Sequence, residues 1–362
     1  MPDARAAARA EAARLSARFQ DAGAVPVETA VLQPAATLLD LYGEDIRARA
    51  YVTSDALRGE QMLRPDFTVP VVQMHMADGA EPARYCYAGE VFRRQEEDED
   101  RANEYLQVGF EVFDATRPPD ADAEVFALFQ SILAPLSLRA ATGDISILTA
   151  VVAGLQTSDK RKQALMRHIW RPRRFRALLD RYSSTAPLSD SRAALLAAAD
   201  PFAGTGAEIG LRRRAEVIAR LDNLREDAAA DPIPTGIVAL IDAVLAVREK
   251  MPFALERLRD IAVDLPWIGV AIDRLDARAT ALADRGVDVD ALDFEASYGR
   301  THMEYYDGFV FGFYAENRPD LPPVASGGRY DALTRHLGQG RAIPAVGGVI
   351  RPGLVLELGG LG

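Results

Sequence analysis

The stretch RYCYAGEVFRRQEEDEDRANEYLQVGFEVF, residues 84–113, decides the fold of this chain. Its two ends, residues 84–92 and 105–113, are rich in β-branched and aromatic residues, whereas its centre is almost entirely charged. This pattern predicts two antiparallel strands that are joined by a long polar loop. Because successive residues of a strand point to opposite faces, Gln107, Gly109 and Glu111 share one face of the second strand.

Three polar side chains give this hairpin a possible chemistry. Arg93 follows the first strand, and Gln107 and Glu111 lie on the second. A buried glutamate that lies beside a glutamine and faces an arginine can hold an ammonium or imidazole group together with a carboxylate. That is the chemistry of amino-acid recognition. A salt bridge that faces solvent is the alternative explanation of the same spacing.

Three further segments are candidates for the wall of a pocket: LRPDFTVP (residues 63–70), MEYYDGFVFGFY (residues 303–314) and ASGGRYDAL (residues 325–333). The first is a turn around a proline, and the third has paired glycines that permit close backbone approach. The second has adjacent tyrosines, of which only one faces a given site if the segment is a strand. Each pattern is also common where the role is purely structural.

The rest of the chain indicates one sheet that is interrupted by helices. Strand patterns occur in residues 1–150 and 266–362, including two at 144–148 and 287–294, whereas residues 151–265 are dominated by Ala, Arg and Leu at helical spacing. We therefore expect an α+β fold in which helices flank an antiparallel sheet. Residues 151–265 are predicted to form a helical insertion.

Composition excludes several classes of protein. The 362 residues are 49% hydrophobic and 26% charged, which is typical of a folded globular chain. The net charge of −11 opposes binding to a polyanion such as nucleic acid. No apolar stretch approaches the roughly 20 residues that a membrane helix needs. The single cysteine, Cys86, and four dispersed histidines indicate neither a disulfide nor a metal site, so we expect a cytoplasmic protein without metal or cofactor.

Taken in order, the motifs LRPDFT, YAGEVFRRQ…RANEYLQVGFEVF, EYYDG and GGRYDAL…AVGGVI resemble those of the catalytic domain of histidyl-tRNA synthetase. The resemblance covers most of residues 1–150 and 285–358, and it implies a class II aminoacyl-tRNA synthetase-like sheet. By position it also implies a histidine-binding set, which consists of Asp66, Thr68, Arg93, Gln107, Glu111, Tyr306 and Tyr330.

The resemblance breaks where a synthetase needs its catalytic residues. Thr301 stands in place of the activating arginine, although Arg300 precedes it, and Leu354 stands in place of the arginine that binds ATP. Gln95 stands in place of the glutamate of the synthetase's FRxE signature, and the loop that approaches tRNA in a synthetase has five carboxylates here, at residues 96–100. Too few residues follow the last motif for an anticodon-binding domain. We therefore expect no tRNA ligation and no catalytic residue.

A kept histidine pocket with broken activation residues resembles the regulatory subunits of ATP phosphoribosyltransferase. That family implies a non-catalytic chain that dimerises, joins the short-form catalytic subunit in a hetero-octamer and relays histidine feedback on the first step of histidine biosynthesis. Self-association is expected through the N-terminal segment and residues 25–33. Two alternatives stay open: a degenerate synthetase paralogue that still activates an amino acid, and an assembly scaffold without a ligand. Histidine binding at a subunit interface is a further alternative to the pocket.

Overall fold

The computed structural model describes residues 2–42, 46–94, 101–203, 205, 209–300 and 305–361. Within these residues, the strands are β1 (Val25–Pro26), β2 (Leu32–Pro34), β3 (Val52–Asp55), β4 (Gly59–Leu63), β5 (Ala83–Phe92), β6 (Glu104–Phe113), β7 (Arg139–Asp144), β8 (Arg248–Lys250), β9 (Asp293–Glu295), β10 (Phe309–Tyr314), β11 (Ala325–Arg329) and β12 (Ala345–Ile350). Gln95, the acidic residues 96–100 and Thr301 lie outside the described residues.

Helices flank these strands along the whole chain. They are α1 (Pro2–Asp21), α2 (Ala35–Tyr42), α3 (Ile46–Arg49), α4 (Thr68–Asp78), α5 (Pro118–Leu133), α6 (Ile145–Gly154), α7 (Asp159–Arg167), α8 (Pro172–Ser183), α9 (Asp190–Ala197), α10 (Arg214–Ala229), α11 (Thr235–Leu245), α12 (Met251–Asp264), α13 (Gly269–Asp284), α14 (Asp331–Leu337) and α15 (Pro352–Glu357). No described helix is long and apolar enough to cross a membrane.

The predicted hairpin is confirmed, and it forms part of a nine-stranded sheet. Strands β5 and β6 pair antiparallel along ten residues, from Ala83 opposite Phe113 to Phe92 opposite Glu104. The order in the sheet is β1-β5-β6-β12-β11-β10-β7-β9-β8, and β2, β4 and β3 form a separate small sheet. Two neighbouring pairs, β1 with β5 and β7 with β9, are parallel. The expected α+β architecture is present, but the sheet is mixed rather than wholly antiparallel.

One face of the large sheet is apolar and is covered by α1 and α5. Phe110 on β6 lies 5.3 Å from Phe19 of α1, measured between ring centroids, and Phe311 on β10 lies 5.6 Å from Phe129 of α5. Each fully buried phenylalanine contributes roughly 1.5–3 kcal/mol. Because side chains alternate along a strand, this packing directs the intervening polar residues to the opposite face.

One of the short strands predicted from sequence is wrong, and another is much shorter than predicted. Residues 144–148 begin a helix: Asp144 ends β7, and its Oδ1 accepts a 2.8 Å hydrogen bond from the backbone N–H of Ser146 at the start of α6. A short apolar run does not distinguish a buried strand from a buried helix, so the N-cap is the deciding signal. Of residues 287–294, only the last two belong to a strand, the short β9.

The range predicted as a helical insertion, residues 151–265, contains the end of α6, all of α7 to α12, and also a strand. Strand β8 pairs antiparallel with β9 and ends the nine-stranded sheet. A buried ion pair stabilises the helices between α6 and β8, because Arg161 on α7 donates to Asp227 on α10 at 2.8 Å. The helical segment therefore returns to the sheet before α12.

Candidate functional site

Glycines make room for a cluster of large polar side chains around Glu111, called here the Glu111 pocket, on the polar face of the large sheet. A Cβ atom at Gly109 would lie 2.1 Å from the ring of Tyr87, and one at Gly347 would lie 1.5 Å from Oε2 of Glu111. No real side chain tolerates such contacts, so these strand positions are restricted to glycine by the side chains that lie across them. The sheet therefore accommodates a layer of large polar side chains directly on its backbone.

Glu111 lies at the centre of this layer. Its carboxylate accepts three hydrogen bonds: from Thr68 Oγ1 at 3.0 Å, from the Tyr87 hydroxyl at 2.8 Å and from the Tyr330 hydroxyl at 2.6 Å. The donors come from the start of α4, from β5 and from the residue before α14. Three separate elements thus orient one carboxylate.

The environment of Glu111 disfavours its negative charge. Burial raises the pKa of Glu111 to about 7, against the opposing effect of the three hydroxyl donors, and the nearby Asp66 carboxylate adds to the rise. All three donors are neutral, and the side chain is only 1% exposed. A ligand that brings a positive charge would lower this pKa and stabilise the carboxylate.

Gln107 offers a second buried polar atom on the same face of β6. It lies on β6 four residues before Glu111, is 1% exposed, and has an Oε1 atom with no hydrogen-bond partner among the described groups. An unsatisfied buried carbonyl costs roughly 1–3 kcal/mol, which a ligand donor would recover. A buried amide without a partner is therefore an indication of a binding site.

Asp66, Arg93 and Tyr306 complete the set that the sequence nominated. Asp66 Oδ1 accepts a 3.3 Å hydrogen bond from the backbone N–H of Val69 in the first turn of α4. Arg93 Nε donates to the carbonyl of Pro65 at 2.7 Å, which anchors the guanidinium beside that turn. Burial raises the pKa of Tyr306, and the charges of Glu111, Asp66 and Arg93 also act on it. The seven nominated residues thus converge on one region.

The two adjacent tyrosines do not alternate as a strand would require. Strand β10 begins only at Phe309, so Tyr305 and Tyr306 precede it, and both are 8% exposed. The Tyr305 ring lies 4.9 Å from that of Tyr306 and 6.2 Å from that of Tyr330, measured between centroids. Both tyrosines therefore contribute to the same wall, contrary to the prediction for a strand.

Two contacts of the candidate site were not predicted from the sequence. Tyr87 donates to Glu111, and its only signal was its position on the hairpin face that also carries Gly109. Asp307 accepts hydrogen bonds from the backbone N–H groups of Asp331 at 2.9 Å and Ala332 at 2.7 Å. It thereby joins the turn after Tyr306 to the start of α14. Burial, together with the Asp331 charge, raises the pKa of Asp307 to about 7.

Arg300 does not face this pocket. Its Nε donates to the carbonyl of Ile169 at 2.8 Å, and its guanidinium lies 5.1 Å from the ring centroid of Phe175 on α8. Burial lowers the pKa of Arg300 to about 10. The Arg300 side chain therefore contacts the helical segment. Leu354 is partly buried against the apolar core.

Arg351 lies close enough to Arg93 for their charges to interact. Its guanidinium lies 5.5 Å from the ring centroid of Tyr105. Burial lowers the pKa of Arg351, the neighbouring Tyr105 opposes this, and the charges of Arg93 and Arg101 lower it further. A group of cations therefore lies near Arg93. Among the described residues, no cluster of three metal-binding side chains occurs.

This chain is similar to histidyl-tRNA synthetases and to ATP phosphoribosyltransferase regulatory subunits. The family model described as histidyl-tRNA synthetase matches residues 1–230 and 215–352. The ATP phosphoribosyltransferase regulatory subunits of Brucella ovis and Brucella abortus are each 33% identical to this chain over 348 residues, which is 89% of either chain.

Solved structures show the same fold. A structure described as an ATP phosphoribosyltransferase regulatory subunit/histidyl-tRNA synthetase from Bacillus halodurans superposes with a TM-score of 0.70 at 20% identity, covering 99% of this chain and 80% of that one. A histidine–tRNA ligase subunit from Alicyclobacillus acidocaldarius gives 0.60 at 24% identity, covering 99% and 94%.

Proposed function

This chain belongs to the family of ATP phosphoribosyltransferase regulatory subunits, and from that membership we propose that it senses free histidine in the Glu111 pocket. In this proposal it supports the short-form catalytic subunit and conveys histidine feedback to the first step of histidine biosynthesis. The observation that carries the proposal is a buried carboxylate held by three neutral hydroxyls. On the same face of β6 lies the amide oxygen of Gln107, which has no hydrogen-bond partner among the described residues.

The geometry supports a division of labour among the pocket residues. Glu111 and Gln107 would accept hydrogen bonds from the amino and imidazole groups of histidine, since a carboxylate and an amide oxygen are both acceptors. Arg93 would take the histidine carboxylate, and the positive charge of Arg351 favours an anion there. Asp66, Thr68, Tyr306 and Tyr330 would fix the walls around the ligand.

We further propose that the chain makes no histidyl-adenylate. Arg300 is engaged by Ile169 and Phe175, and Leu354 provides no charge where a synthetase binds ATP. Loss of a positioned charge at a developing negative centre typically lowers the rate by ~10²–10³. Histidine-dependent exchange of pyrophosphate into ATP at synthetase-like rates would favour the alternative of an active synthetase paralogue.

Assembly is the remaining part of the proposal. The edge of the large sheet at β1 and the adjoining segment expose apolar side chains, with Val25 57% exposed, Leu32 48% and Val31 40%. Exposed apolar groups at a sheet edge favour a protein contact. We propose that this edge forms the dimer within a hetero-octamer with the catalytic subunit, without tRNA or membrane. A cytoplasmic location stays a prediction.

The pocket assignment is tested by calorimetric titration of histidine into the isolated chain between pH 6 and pH 9. In the ligand-free chain, Glu111 has a pKa of about 7, and a cationic ligand requires the ionised form of this carboxylate. The contribution of Glu111 to the affinity should therefore be constant at high pH and fall below pH 7, by at most about tenfold per pH unit. Protonation of histidine itself affects binding to the wild type and to Glu111→Gln equally. The variant should bind histidine weakly and should lack the additional pH dependence that Glu111 causes. Identical pH profiles of both proteins would contradict the assignment.

A further inference from the structure

Arg64 is a buried cation that lies outside the set of residues proposed to touch histidine. It follows β4 in the turn that leads to α4, and its side chain is 6% exposed. It forms no ion pair with any residue that the structure describes. Burial lowers the pKa of Arg64, although the charge of Glu90 opposes this effect. An arginine is rarely buried without a carboxylate partner, so its position needs a reason other than charge pairing.

Backbone carbonyls hold the Arg64 guanidinium in place. Its Nε donates to the Glu90 carbonyl of β5 at 2.9 Å, and its Nη1 donates to the Thr29 carbonyl at 2.7 Å. The backbone N–H of Arg64 also donates to the Val31 carbonyl at 2.8 Å. Thr29 and Val31 belong to residues 27–31, which we call the β1–β2 connection. Arg64 therefore joins this connection to the strand that carries Tyr87.

The guanidinium also begins a stack of three side chains that reaches Glu111. Its Cζ lies 3.9 Å from the ring centroid of Phe67, and the Phe67 ring lies 4.4 Å from that of Tyr87 at an interplanar angle of 11°. The Tyr87 hydroxyl then donates to Glu111 at 2.8 Å. We call Arg64, Phe67 and Tyr87 the Arg64 stack. Its contacts run without a gap from the β1–β2 connection to the central carboxylate of the pocket.

Two glycines leave room for the Arg64 stack against the sheet. A Cβ atom at Gly89 would lie 2.7 Å from Nη2 of Arg64 and 2.9 Å from the Phe67 ring. At Gly109, a Cβ atom would meet the ring of Tyr87. The stack therefore lies directly on the strand backbone, and Phe67 and Tyr87 are each only 2% exposed. Groups that are packed this closely do not move independently, so the position of the Tyr87 hydroxyl depends on Arg64.

We propose that Arg64 is a positioning residue for histidine, which makes the affinity of the Glu111 pocket depend on contacts at the β1 edge of the sheet. This inference rests on the proposed function, because both the ligand and the dimer belong to that proposal. Val31, whose carbonyl accepts from Arg64, is 40% exposed beside this edge. A second copy of the chain that packs there would fix the β1–β2 connection and, through Arg64, the hydroxyl of Tyr87. Histidine binding and dimerisation would then strengthen each other, as thermodynamic linkage requires.

The test is a double-mutant cycle in the full chain, measured by calorimetric titration of histidine at pH 8. Arg64→Met removes the guanidinium, whereas Arg64→Lys keeps the charge without the planar group that stacks on Phe67. We expect Arg64→Met and Val25→Glu each to lower the histidine affinity at least about fivefold, and Arg64→Lys to give an intermediate affinity. The double variant should bind no more weakly than Arg64→Met, because the link to the β1 edge is already broken. If Arg64→Met does not fold, the same cycle with Arg64→Lys decides.

Two exposed residues provide matched controls. Arg58→Met removes an arginine that pairs with Asp55 in the turn between β3 and β4, and Val263→Glu adds a charge on α12. Neither should change the histidine affinity by more than about twofold. Analytical ultracentrifugation measures the reciprocal effect. Saturating histidine should tighten the wild-type dimer at least about fivefold, and it should not tighten the dimer of Arg64→Met.

The outcomes separate the role of Arg64 from the proposed function. If the wild-type chain binds histidine and Arg64→Met binds it equally well, the inference is wrong although the function stands, and a lower thermal stability alone would make Arg64 a purely structural residue. Equal losses on Val25→Glu in the wild-type and Arg64→Met backgrounds would also overturn it, because the edge and Arg64 would then act independently. If the wild-type chain does not bind histidine, the proposed function fails and this inference fails with it.

Discussion

The burial of Glu111 lowers the stability of the folded chain when this carboxylate is ionised. Its pKa in the folded chain is about 7, compared with 4.5 for a free glutamate, so the folded state holds the proton more tightly than the unfolded state. The stability from this group is complete below pH 4.5 and is lost as the pH rises through 7. A shift of this size corresponds to roughly 3 kcal/mol at most. Such a cost at a binding site is typical of a residue kept for its ligand.

Glu111→Gln should therefore stabilise the ligand-free chain at pH 8 while it weakens histidine binding. Urea unfolding at pH 8 and pH 5 measures the free energy of unfolding of the variant and the wild type. We expect a gain of about 1–3 kcal/mol at pH 8 and a smaller difference at pH 5. Glu256→Gln, at an exposed position on α12, is the control and should show neither effect. An equal difference in the free energy of unfolding at both pH values would mean that burial does not raise the pKa of Glu111.

At the scale of elements, Asp307 joins the turn after Tyr306 to the start of α14. Its carboxylate accepts both first N–H groups of α14, whose preceding residue, Tyr330, donates to Glu111. Asp307→Asn keeps one acceptor oxygen and removes the repulsion from Asp331, whereas Asp307→Ala keeps neither bond. We expect histidine affinity to fall by about threefold in the first variant and by about tenfold in the second. Calorimetry measures the affinity, and equal losses in both variants would show that the hydrogen bonds are not the cause.

The elements that sequence reasoning identified are those with a strong local pattern. Strands β5 and β6 alternate over ten paired residues, so both the hairpin and the shared face of Gln107 and Glu111 were predictable. Strands β8 and β9 have three residues each, too few for any periodicity, and they exist through pairing with distant partners. Tyr87 was missed for a similar reason, because only the register of the hairpin places its ring over Gly109.

At the scale of the whole molecule, the exposed edge at β1 predicts a dimer. Val25 lies on this edge and is 57% exposed, whereas Val263 is 80% exposed but belongs to α12 and not to the β1 edge. A buried charge in an apolar interface is costly, so Val25→Glu should weaken the dimer at least about tenfold, whereas Val263→Glu should not. Light scattering at micromolar concentration measures the mass of each protein. A monomeric wild type, alone and with the catalytic subunit, would contradict the assembly.

The central claim is that the Glu111 pocket is the histidine sensor of a phosphoribosyltransferase complex. The most direct measurement is phosphoribosyl transfer by the short-form catalytic subunit, with and without this chain, over a range of histidine concentrations. We predict that the chain raises the rate, that histidine inhibits the complex, and that Glu111→Gln retains activation but needs about ten- to hundredfold more histidine. An unchanged histidine response in both Glu111→Gln and Gln107→Ala would contradict the claim and place the sensing site elsewhere.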